Sequence, residues 1–505
     1  MATITTVTSA RRGLGSLTLS EPLVVALLAA AAFLIRLPHF GDPAFMIDEQ
    51  FYLLVGDRML HGALPYVDIW DRKPIGLFLI YAAIRLLGGA GFWQYQVVAT
   101  LFAAGTAFLI YRIARIVTGR GGAMVSGLLY LLWIELAEGG GGQSPIFYSL
   151  LVAGAALALI QSGNATEDRR FRRLSLLAML LTGLAIQIKY SVLAEGLCFG
   201  LLLAAWSVQR LGLRSAAAHV ALLALVALGP TLAAFAFYAA IGQARAFWFA
   251  NFASILMRAP TPAAALHFRV QMTVLRLIPL AFCIVVGMAV LWRDRPAQTN
   301  RWRLVLLAWC AAATFGVFEI GTLYSHYILP AFVPFCAAAA PAFARRPVGP
   351  ILALLTAVLP ASTLHWPDFA TTRRHQAEIA RLAALIPPDV DKGCLQMFDG
   401  PPVLDYLSHG CALSRFVFPD HLSAALEAHA IGVDPSTELR RILSQRPEAI
   451  TIGETDVRVP NQATLAIMRA ALARDYVLAG RAPFGGRYID VFVRRNEKPP
   501  LTSSL

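Results

Sequence analysis

Stretches of roughly 20 apolar residues recur along most of this chain, and they constrain its fold more than any other feature. The chain has 505 residues, of which 57% are hydrophobic and 14% are charged, and its mean hydropathy is +0.61. A helix of about 20 apolar residues is long enough to cross the hydrocarbon core of a bilayer. We therefore predict a polytopic α-helical membrane protein and exclude an ordinary soluble one.

Arginine clusters separate these apolar stretches. The clusters lie at Arg11-Arg12, Arg112 with Arg115 and Arg120, residues 169–173, Arg210 with Arg214, residues 293–303, and Arg345-Arg346. Each is typical of a short cytoplasmic loop, since such loops carry an excess of Lys and Arg. Residues 1–364 hold 27 Lys and Arg against 14 Asp and Glu, while the remainder holds 16 against 16, so the whole net charge of +13 belongs to the membrane part. The positive charge follows membrane topology, and no nucleic-acid partner is expected.

The apolar spans between the clusters predict about eleven transmembrane helices, judged against a length of about 20 residues. Their predicted starts are near Pro22, Gln94, Gly122, Pro145, Leu174, Val192, Ala216, Val270, Leu304, Ile328 and Val348. An odd number puts the N-terminus in the cytoplasm and the C-terminus outside, with the first span as an uncleaved anchor rather than a signal peptide. Residues 75–87 are apolar but short, and we interpret them as a helix lying on the bilayer. This topology places residues 41–93, 138–144, 242–269 and 321–327, together with Lys189, on the extracytoplasmic side.

The character of the chain changes near His365. Residues 1–364 are predicted to form the transmembrane domain, with 41–93 as its first external loop, and residues 365–505 a small extracytoplasmic α/β domain. In the second part, strand patterns at 449–452 and 488–493 alternate with helical patterns at 436–445 and 461–475. Cys394 and Cys411 both fall in this domain, where either a disulfide or two free thiols would be compatible with the sequence.

Several short motifs together resemble the GT-C membrane glycosyltransferases, in the bacterial branch related to protein O-mannosyltransferases and lipid A aminoarabinose transferases (glycosyltransferase families 39 and 83). The motifs are Asp48-Glu49-x-x-Tyr52, Gly62-x-x-x-Tyr66, Trp70-Asp71-x-Lys73-Pro74, the Gly-Leu-Ala…Lys stretch at 183–189, and the His-Tyr-x-Leu-Pro stretch at 326–330. Two positions depart from the family pattern: Ile75 follows Lys73-Pro74, and Gln143-Ser144 stands where an acidic residue is common. Glu138, a few residues earlier, is a candidate substitute for that acidic residue.

The resemblance implies an enzyme that moves a sugar from a polyprenyl-phosphate carrier to an envelope acceptor outside the cytoplasm, with inversion at the anomeric carbon. The acceptor would be a lipid, a glycan or a protein. Asp48 is then the candidate base for the acceptor hydroxyl. Glu49 would orient the acceptor or raise the pKa of Asp48 through like-charge proximity. The alternative is that both carboxylates cap the helix that follows.

Cations are needed for the departing phosphate. Lys73 is one of only four lysines beside 39 arginines, which indicates that this position requires a compact ammonium. Asp71 and Arg72 flank it, although a solvated turn would also explain the three charges. Lys189 is either a second phosphate ligand or a snorkelling interfacial side chain. The remaining candidates are His326 and Tyr327 for the phosphate, and Tyr52, Tyr66 and Glu138 as further site residues.

The sequence contains no CxxC pair, His-rich cluster or Gly-rich phosphate loop, so no cofactor or metal is expected, and a divalent ion is left open. Two other functions are compatible with the sequence. A transporter or flippase of a lipid-linked saccharide would be expected to carry charges at mid-membrane and inverted repeats. An inactive relative would use its exported domain to bind a glycan or a partner. The arginine-rich, lysine-poor composition indicates a GC-rich bacterial genome, and hence the bacterial inner membrane.

Overall fold

The computed structural model describes residues 20–291, 297–319, 321–364, 366–455 and 458–495. Within them, a helical bundle is followed by a smaller α/β domain whose first helix begins at Phe369. The predicted cluster Arg11-Arg12, part of the 293–303 cluster and the predicted boundary residue His365 lie outside the described residues.

The bundle consists of long helices joined by short helical turns. Its α-helices are α1 (Glu21–Arg36), α2 (Ile47–Leu60), α3 (Ile75–Arg85), α4 (Phe92–Val117), α5 (Arg120–Glu135), α6 (Ser144–Gly163), α7 (Asp168–Ile186), α8 (Leu193–Leu211), α9 (Leu213–Ala240), α10 (Ala244–Trp248), α11 (Ala263–Leu291), α12 (Ala297–Phe318), α13 (Leu329–Phe343) and α14 (Val348–Thr363). A π-helix (Phe249–Ala253) and 3₁₀-helices (Leu37–His39, Tyr190–Val192, Ser254–Met257, Ser325–Ile328) lie between them.

A helix occurs near each of the eleven predicted starts, and among the described residues eight helical segments are long and apolar enough to cross a membrane. The other three are α5 and α14, with 16 residues each, and α7, whose first turns contain four arginines. The polytopic helical class is therefore confirmed, while the count of eleven crossings stays a prediction. Helices α7, α11 and α12 begin several residues before their predicted starts. In α7 and α12 polar turns precede the apolar span, and in α11 an Ala-rich turn does.

Helix α13 forms the centre of the bundle, since every residue from Leu329 to Phe343 is buried. Its Ala-rich middle allows α5, α11 and α12 to approach its backbone closely, as small residues do between membrane helices. Helix α9 lies at the periphery, with 11% of its most apolar window buried. Because α13 is packed along its whole length, its first turn has a fixed position at the end of the bundle where the short connecting segments lie.

The α/β domain contains a four-stranded sheet in the order β1-β2-β4-β3. Its elements are α15 (Phe369–Ala384), α16 (Val390–Gly393), β1 (Leu395–Met397), α17 (Val403–Ser408), α18 (Asp420–Ser423), α19 (Pro435–Ser444), β2 (Ala449–Gly453), α20 (Gln462–Asp475), β3 (Tyr476–Phe484) and β4 (Arg487–Arg494). Strand β2 pairs parallel with β1 and antiparallel with β4, and Ile450 lies opposite Phe492. Side chains of α19 and α20, including Leu439 and Met468, pack with Ile450 in one small core.

The sequence predicted β2, β4, α19 and α20 but not the edge strand β3. That strand carries Gly480 and Pro483, both unfavourable in a sheet interior and tolerated at an edge. A two-residue turn of Gly485 and Gly486 joins it to β4, and both glycines have the positive φ values that such a turn requires. Cys394 and Cys411 form a disulfide, which resolves the alternative that the sequence left open.

Candidate active site at one end of the helical bundle

The segments predicted to share the extracytoplasmic face meet at one end of the bundle. The Glu138 carboxylate lies 3.3 Å from the His326 ring, although 188 positions separate the two residues. Lys189 Nζ lies 4.0 Å from the centre of the Tyr327 ring. The hydroxyl of Tyr190 donates a hydrogen bond to Asn251, which connects a fourth segment. Four connections that are distant in sequence thus form one surface.

Asp48 lies in the first turn of α2, where it faces His326. Met46 is the N-cap residue and no side chain caps the helix, so the capping interpretation of Asp48 is wrong. The distance from Asp48 Oδ2 to His326 Nε2 is 3.9 Å, while His326 Nδ1 is 3.3 Å from Glu138 Oε2. Glu138 has φ of 62°, a value that residues with a side chain rarely adopt. A row of carboxylate, imidazole and carboxylate results, with backbone strain at one end.

Two lysines lie beside this row. Lys73 Nζ is 3.4 Å from Asp71 Oδ2 and 5.2 Å from the centre of the Tyr52 ring. Burial opposes the charge of Lys73, but Asp71 and Asp48 outweigh it and raise its pKa. Among the residues that the structure describes, no carboxylate forms an ion pair with Lys189. Burial and the charge of Lys73 lower the pKa of Lys189 to about 7.

The same charges act on Asp48. Burial alone would raise the pKa of Asp48, but Lys73, His326, Arg458 and Lys189 lower it below its ordinary value. Asp48 is therefore ionised at neutral pH. The ammonium groups of Lys73 and Lys189, whose charges act on the Asp48 carboxylate, form a site suited to a phosphate anion next to a base.

Glu49 points away from this surface and is completely buried. Burial raises its pKa to about 8, with the Gly142 N–H and the Tyr95 hydroxyl lowering it only partly. Neither carboxylate oxygen makes a hydrogen bond of ordinary geometry. A side chain at Gly141 would collide with the Glu49 carboxylate, which explains a glycine at this point of the 139–142 run. The hypothesis that Glu49 raises the pKa of Asp48 is wrong, because Glu49 is neutral and cations dominate around Asp48.

Arg72 and Tyr66 have structural partners. The Arg72 guanidinium donates to both oxygens of Glu427, at 3.1 and 2.5 Å, and Arg258 donates to the same carboxylate at 2.9 Å. The Tyr66 hydroxyl donates to the carbonyl oxygen of Lys73 at 2.9 Å and its ring packs among aromatic residues. Tyr66 thus holds the backbone of Lys73, and Arg72 joins the first loop to the α/β domain.

The α/β domain contributes an arginine to the site that sequence reasoning missed. Arg458 donates to Asp420 at 2.6 Å and to the Tyr324 hydroxyl at 3.2 Å, and its charge also lowers the pKa of Asp48. Arg269 lies 4.6 Å from the centre of the Tyr324 ring and donates to the carbonyl oxygen of Thr322. No signal near Arg458 could have indicated this, because its partner lies 134 positions earlier in the chain.

The loop 242–269 contains arginines beside aromatic residues, a mixture typical of an interfacial amphipathic helix, but the structure differs from that pattern. Short α, π and 3₁₀ turns replace a single helix there. Arg258 is held by Glu427, and Phe247 is buried against Tyr66 and Tyr238. Specific partners in the first loop and in the α/β domain therefore account for this mixture of arginines and aromatic residues.

Among the described residues, no group of three or more His, Cys, Asp or Glu side chains is arranged to hold a metal ion. The polar atoms of the site are instead distributed between cations and carboxylates, with a histidine between Asp48 and Glu138.

Comparison with known proteins identifies the fold. Residues 71–234, less than half of the chain, match the family model described as dolichyl-phosphate-mannose-protein mannosyltransferase. The structure is similar to that of ArnT from Cupriavidus metallidurans bound to undecaprenyl phosphate, with a TM-score of 0.62 and 13% identity over 93% of this chain and 97% of the other.

An oligosaccharyltransferase from Archaeoglobus fulgidus in its apo form gives a TM-score of 0.50 at 11% identity, over 86% of this chain and 70% of the other. No curated protein sequence matches the chain. With nearly its whole length superposed on a structure of this type, the chain has the GT-C fold of membrane glycosyltransferases.

Proposed function

We propose that the protein transfers a sugar from a polyprenyl-phosphate carrier to a hydroxyl group of an envelope acceptor, at the face that carries Asp48. The observation that carries this proposal is the ionised Asp48 carboxylate beside Lys73 and Lys189, at the end of the bundle. The undecaprenyl phosphate bound to the similar ArnT structure supports a carrier of this chemistry. The membrane would be a bacterial inner membrane, with this face extracytoplasmic.

The reaction requires a base, a cation pair and an oriented acceptor. Asp48 takes the proton of the acceptor hydroxyl while the hydroxyl oxygen bonds to the anomeric carbon. The bond from that carbon to the phosphate oxygen breaks on the opposite side, and its electron pair leaves with polyprenyl phosphate. Lys73 and Lys189 offset the charge of the departing phosphate, and the stereochemistry at the anomeric carbon is inverted.

Binding of the donor would also strengthen the base. In the free protein, the charges of Lys73 and Lys189 are among the effects that lower the pKa of Asp48. A phosphate placed between these ammonium groups neutralises much of that effect, so the pKa of Asp48 rises towards the range in which a carboxylate accepts a proton more readily. His326, held by Glu138, keeps Asp48 oriented towards the acceptor.

The test is release of polyprenyl phosphate by purified full-length protein supplied with short-chain polyprenyl-phosphate sugars and an envelope extract. The wild type should release the carrier phosphate, and Asp48→Asn should lose at least about 10² of that rate, since a positioned general base contributes roughly 10² to 10⁴. Asp68→Asn is the matched control, because Asp68 is an exposed carboxylate of the same loop that only closes a turn at Leu64.

Two outcomes would contradict the proposal. Equal release by wild type and Asp48→Asn would remove Asp48 as the base. Silence from folded wild type with a verified donor panel would favour transport of the lipid-linked saccharide, which a flipping assay in vesicles would then measure. The clustering of ionisable groups at one end of the bundle supports the enzyme over the transporter.

A further inference from the structure

A cavity lies at the end of the bundle opposite Asp48. Helix α6 begins at Ser144, next to the glycine run that contacts Glu49, and its 20 residues end at Gly163 in the cavity wall. At a rise of 1.5 Å per residue, the cavity is about 30 Å from the candidate active site. Its volume of about 410 Å³ lies within the roughly 300 to 1,000 Å³ of small-molecule sites. The ends of α6, α7, α8 and α12 form its lining, so it is separate from the proposed transfer reaction.

An arginine between two indole rings is the main feature of this cavity. The Arg301 guanidinium lies 4.6 Å from the centre of the Trp206 ring and 4.9 Å from that of Trp302. The two indoles meet edge to face with ring centres 6.0 Å apart. A side chain at Gly163 would meet both indoles, so glycine at that position allows the pair to form. The planar cation is thus oriented by packing rather than by a carboxylate.

The cavity carries an uncompensated positive charge. Arg210, the other arginine of the lining, donates to Asp168 at 2.6 Å and to the carbonyl oxygens of Ala165 and Thr166, so its donors are largely used. Arg301 has no carboxylate partner among the residues that the structure describes, and its side chain is exposed. An anion that enters the cavity would therefore meet a guanidinium with free donors.

We propose that this cavity binds the phosphodiester headgroup of an anionic phospholipid. A stacked guanidinium presents paired N–H donors to two phosphate oxygens. Tryptophans concentrate at the level of lipid headgroups, and this cavity lies at the ends of apolar helices. Leu304 follows Arg301 on the same face of α12 and is 58% exposed, so an acyl chain can leave the headgroup along apolar surface.

Native mass spectrometry of the full-length protein in detergent, titrated with phosphatidylglycerol and with phosphatidylcholine of equal chain length, tests this site. Wild type should bind phosphatidylglycerol more tightly than phosphatidylcholine. Arg301→Gln should weaken phosphatidylglycerol binding about tenfold, the effect of losing one charge-assisted hydrogen bond, and weaken phosphatidylcholine binding less, because the choline cation offsets the charge of its phosphodiester. Arg301→Lys keeps the charge but loses the planar stack, and it should retain only part of the preference.

Arg214→Gln is the matched control, because it removes the same charge from an exposed residue at the same end of the bundle, outside the cavity lining. The proposal is overturned if Arg301→Gln binds phosphatidylglycerol as wild type does, or if Arg214→Gln weakens binding equally. A competition experiment with inorganic phosphate completes the test. Displacement of phosphatidylglycerol by phosphate at equal concentration would show a free-anion site and overturn the lipid assignment, whereas no displacement supports it.

Discussion

Lys189 carries a charge that the fold makes dependent on pH. Burial and the neighbouring charge of Lys73 lower its pKa to about 7, so a large share of the free protein lacks this charge above neutral pH. Its ammonium rests on the Tyr327 ring at 4.0 Å, which favours the charged form only weakly. A phosphate bound beside it would raise the pKa again. Lys189 is therefore better suited to a ligand-linked charge than to a snorkelling role.

The expected result is an alkaline limb near pH 7 in kcat/KM, which reports the free enzyme, and a limb at higher pH in kcat, which reports the donor complex. Lys189→Arg should remove the limb near pH 7, because a guanidinium stays protonated, even if its larger head lowers the rate. Both profiles are measured by polyprenyl phosphate release between pH 5 and 10. A limb that persists unchanged in Lys189→Arg would assign it to another group.

Glu49 makes stability depend on pH in the opposite sense to an ion-paired carboxylate. Its pKa is about 8 in the folded protein against an ordinary value of 4.5, so between these values the folded state binds more protons than the unfolded state. Stability must then fall as pH rises through this window. Thermal unfolding in detergent should show Tm decreasing from pH 5 to 8 in wild type, and a smaller decrease in Glu49→Gln, whose amide does not titrate. Equal slopes would contradict a neutral Glu49.

At the scale of elements, the sequence predicted the helices of the bundle, but it missed the elements whose conformation depends on residues far away in the chain. Helix positions in the bundle follow from apolar length, which is a local property, so a helix occurs near each predicted start. The turns of 244–257 were not predictable in this way, because Phe247 and Arg258 are fixed by Tyr66 and Glu427. The edge strand β3 was missed for a related reason: its pairing with β4 overrides the weak strand preference of Gly480 and Pro483.

Some residues of the candidate site were predicted from the sequence and others were not. Asp48, Lys73, Lys189, His326 and Glu138 were all named from sequence. In the structure His326 lies between Asp48 and Glu138, and the charges of Lys73 and Lys189 act on Asp48. Arg458 and Tyr324 were not named, since neither has a neighbouring motif. Arg72 was also predicted as a site residue. Its side chain donates to Glu427 instead, while the neighbouring Lys73 interacts with Asp48. Their roles in catalysis stay predictions until the variants are measured.

For the molecule as a whole, the α/β domain is attached to residues 42–72 by several buried contacts. Asp42 accepts from His375 at 2.7 Å, and Arg58 donates to Asp405 at 2.7 Å. The Trp70 ring packs against His421, with ring centres 4.7 Å apart. Each contact joins residues 42–72 to residues 375–427, so the segment that carries Asp48 and Lys73 is positioned from both sides.

Glu427 pairs with two arginines of this attachment, Arg72 and Arg258. Burial would raise its pKa, but Arg72 and Arg258 lower it to about 2. Between that value and the ordinary 4.5, the unfolded state binds more protons, so the stabilisation is lost only as pH falls through this window and is complete at neutral pH. Removing the charge at pH 7 leaves two arginines of low exposure without their partner, a change that costs about 3 to 5 kcal/mol at buried ion pairs.

Glu427→Gln should therefore lower the Tm of the detergent-solubilised protein and speed proteolysis at the junction of the two parts, with transfer activity reduced because the Lys73 loop loses its anchor. Glu438→Gln is the matched control. Glu438 pairs with the half-exposed Arg441 on α19, and an exposed pair of this kind contributes about 0 to 1 kcal/mol. If the two variants lost equal stability, or if Glu427→Gln kept full activity after its domain became protease-sensitive, the α/β domain would not position the site. If only Glu427→Gln loses stability and transfer activity, the α/β domain positions the active site.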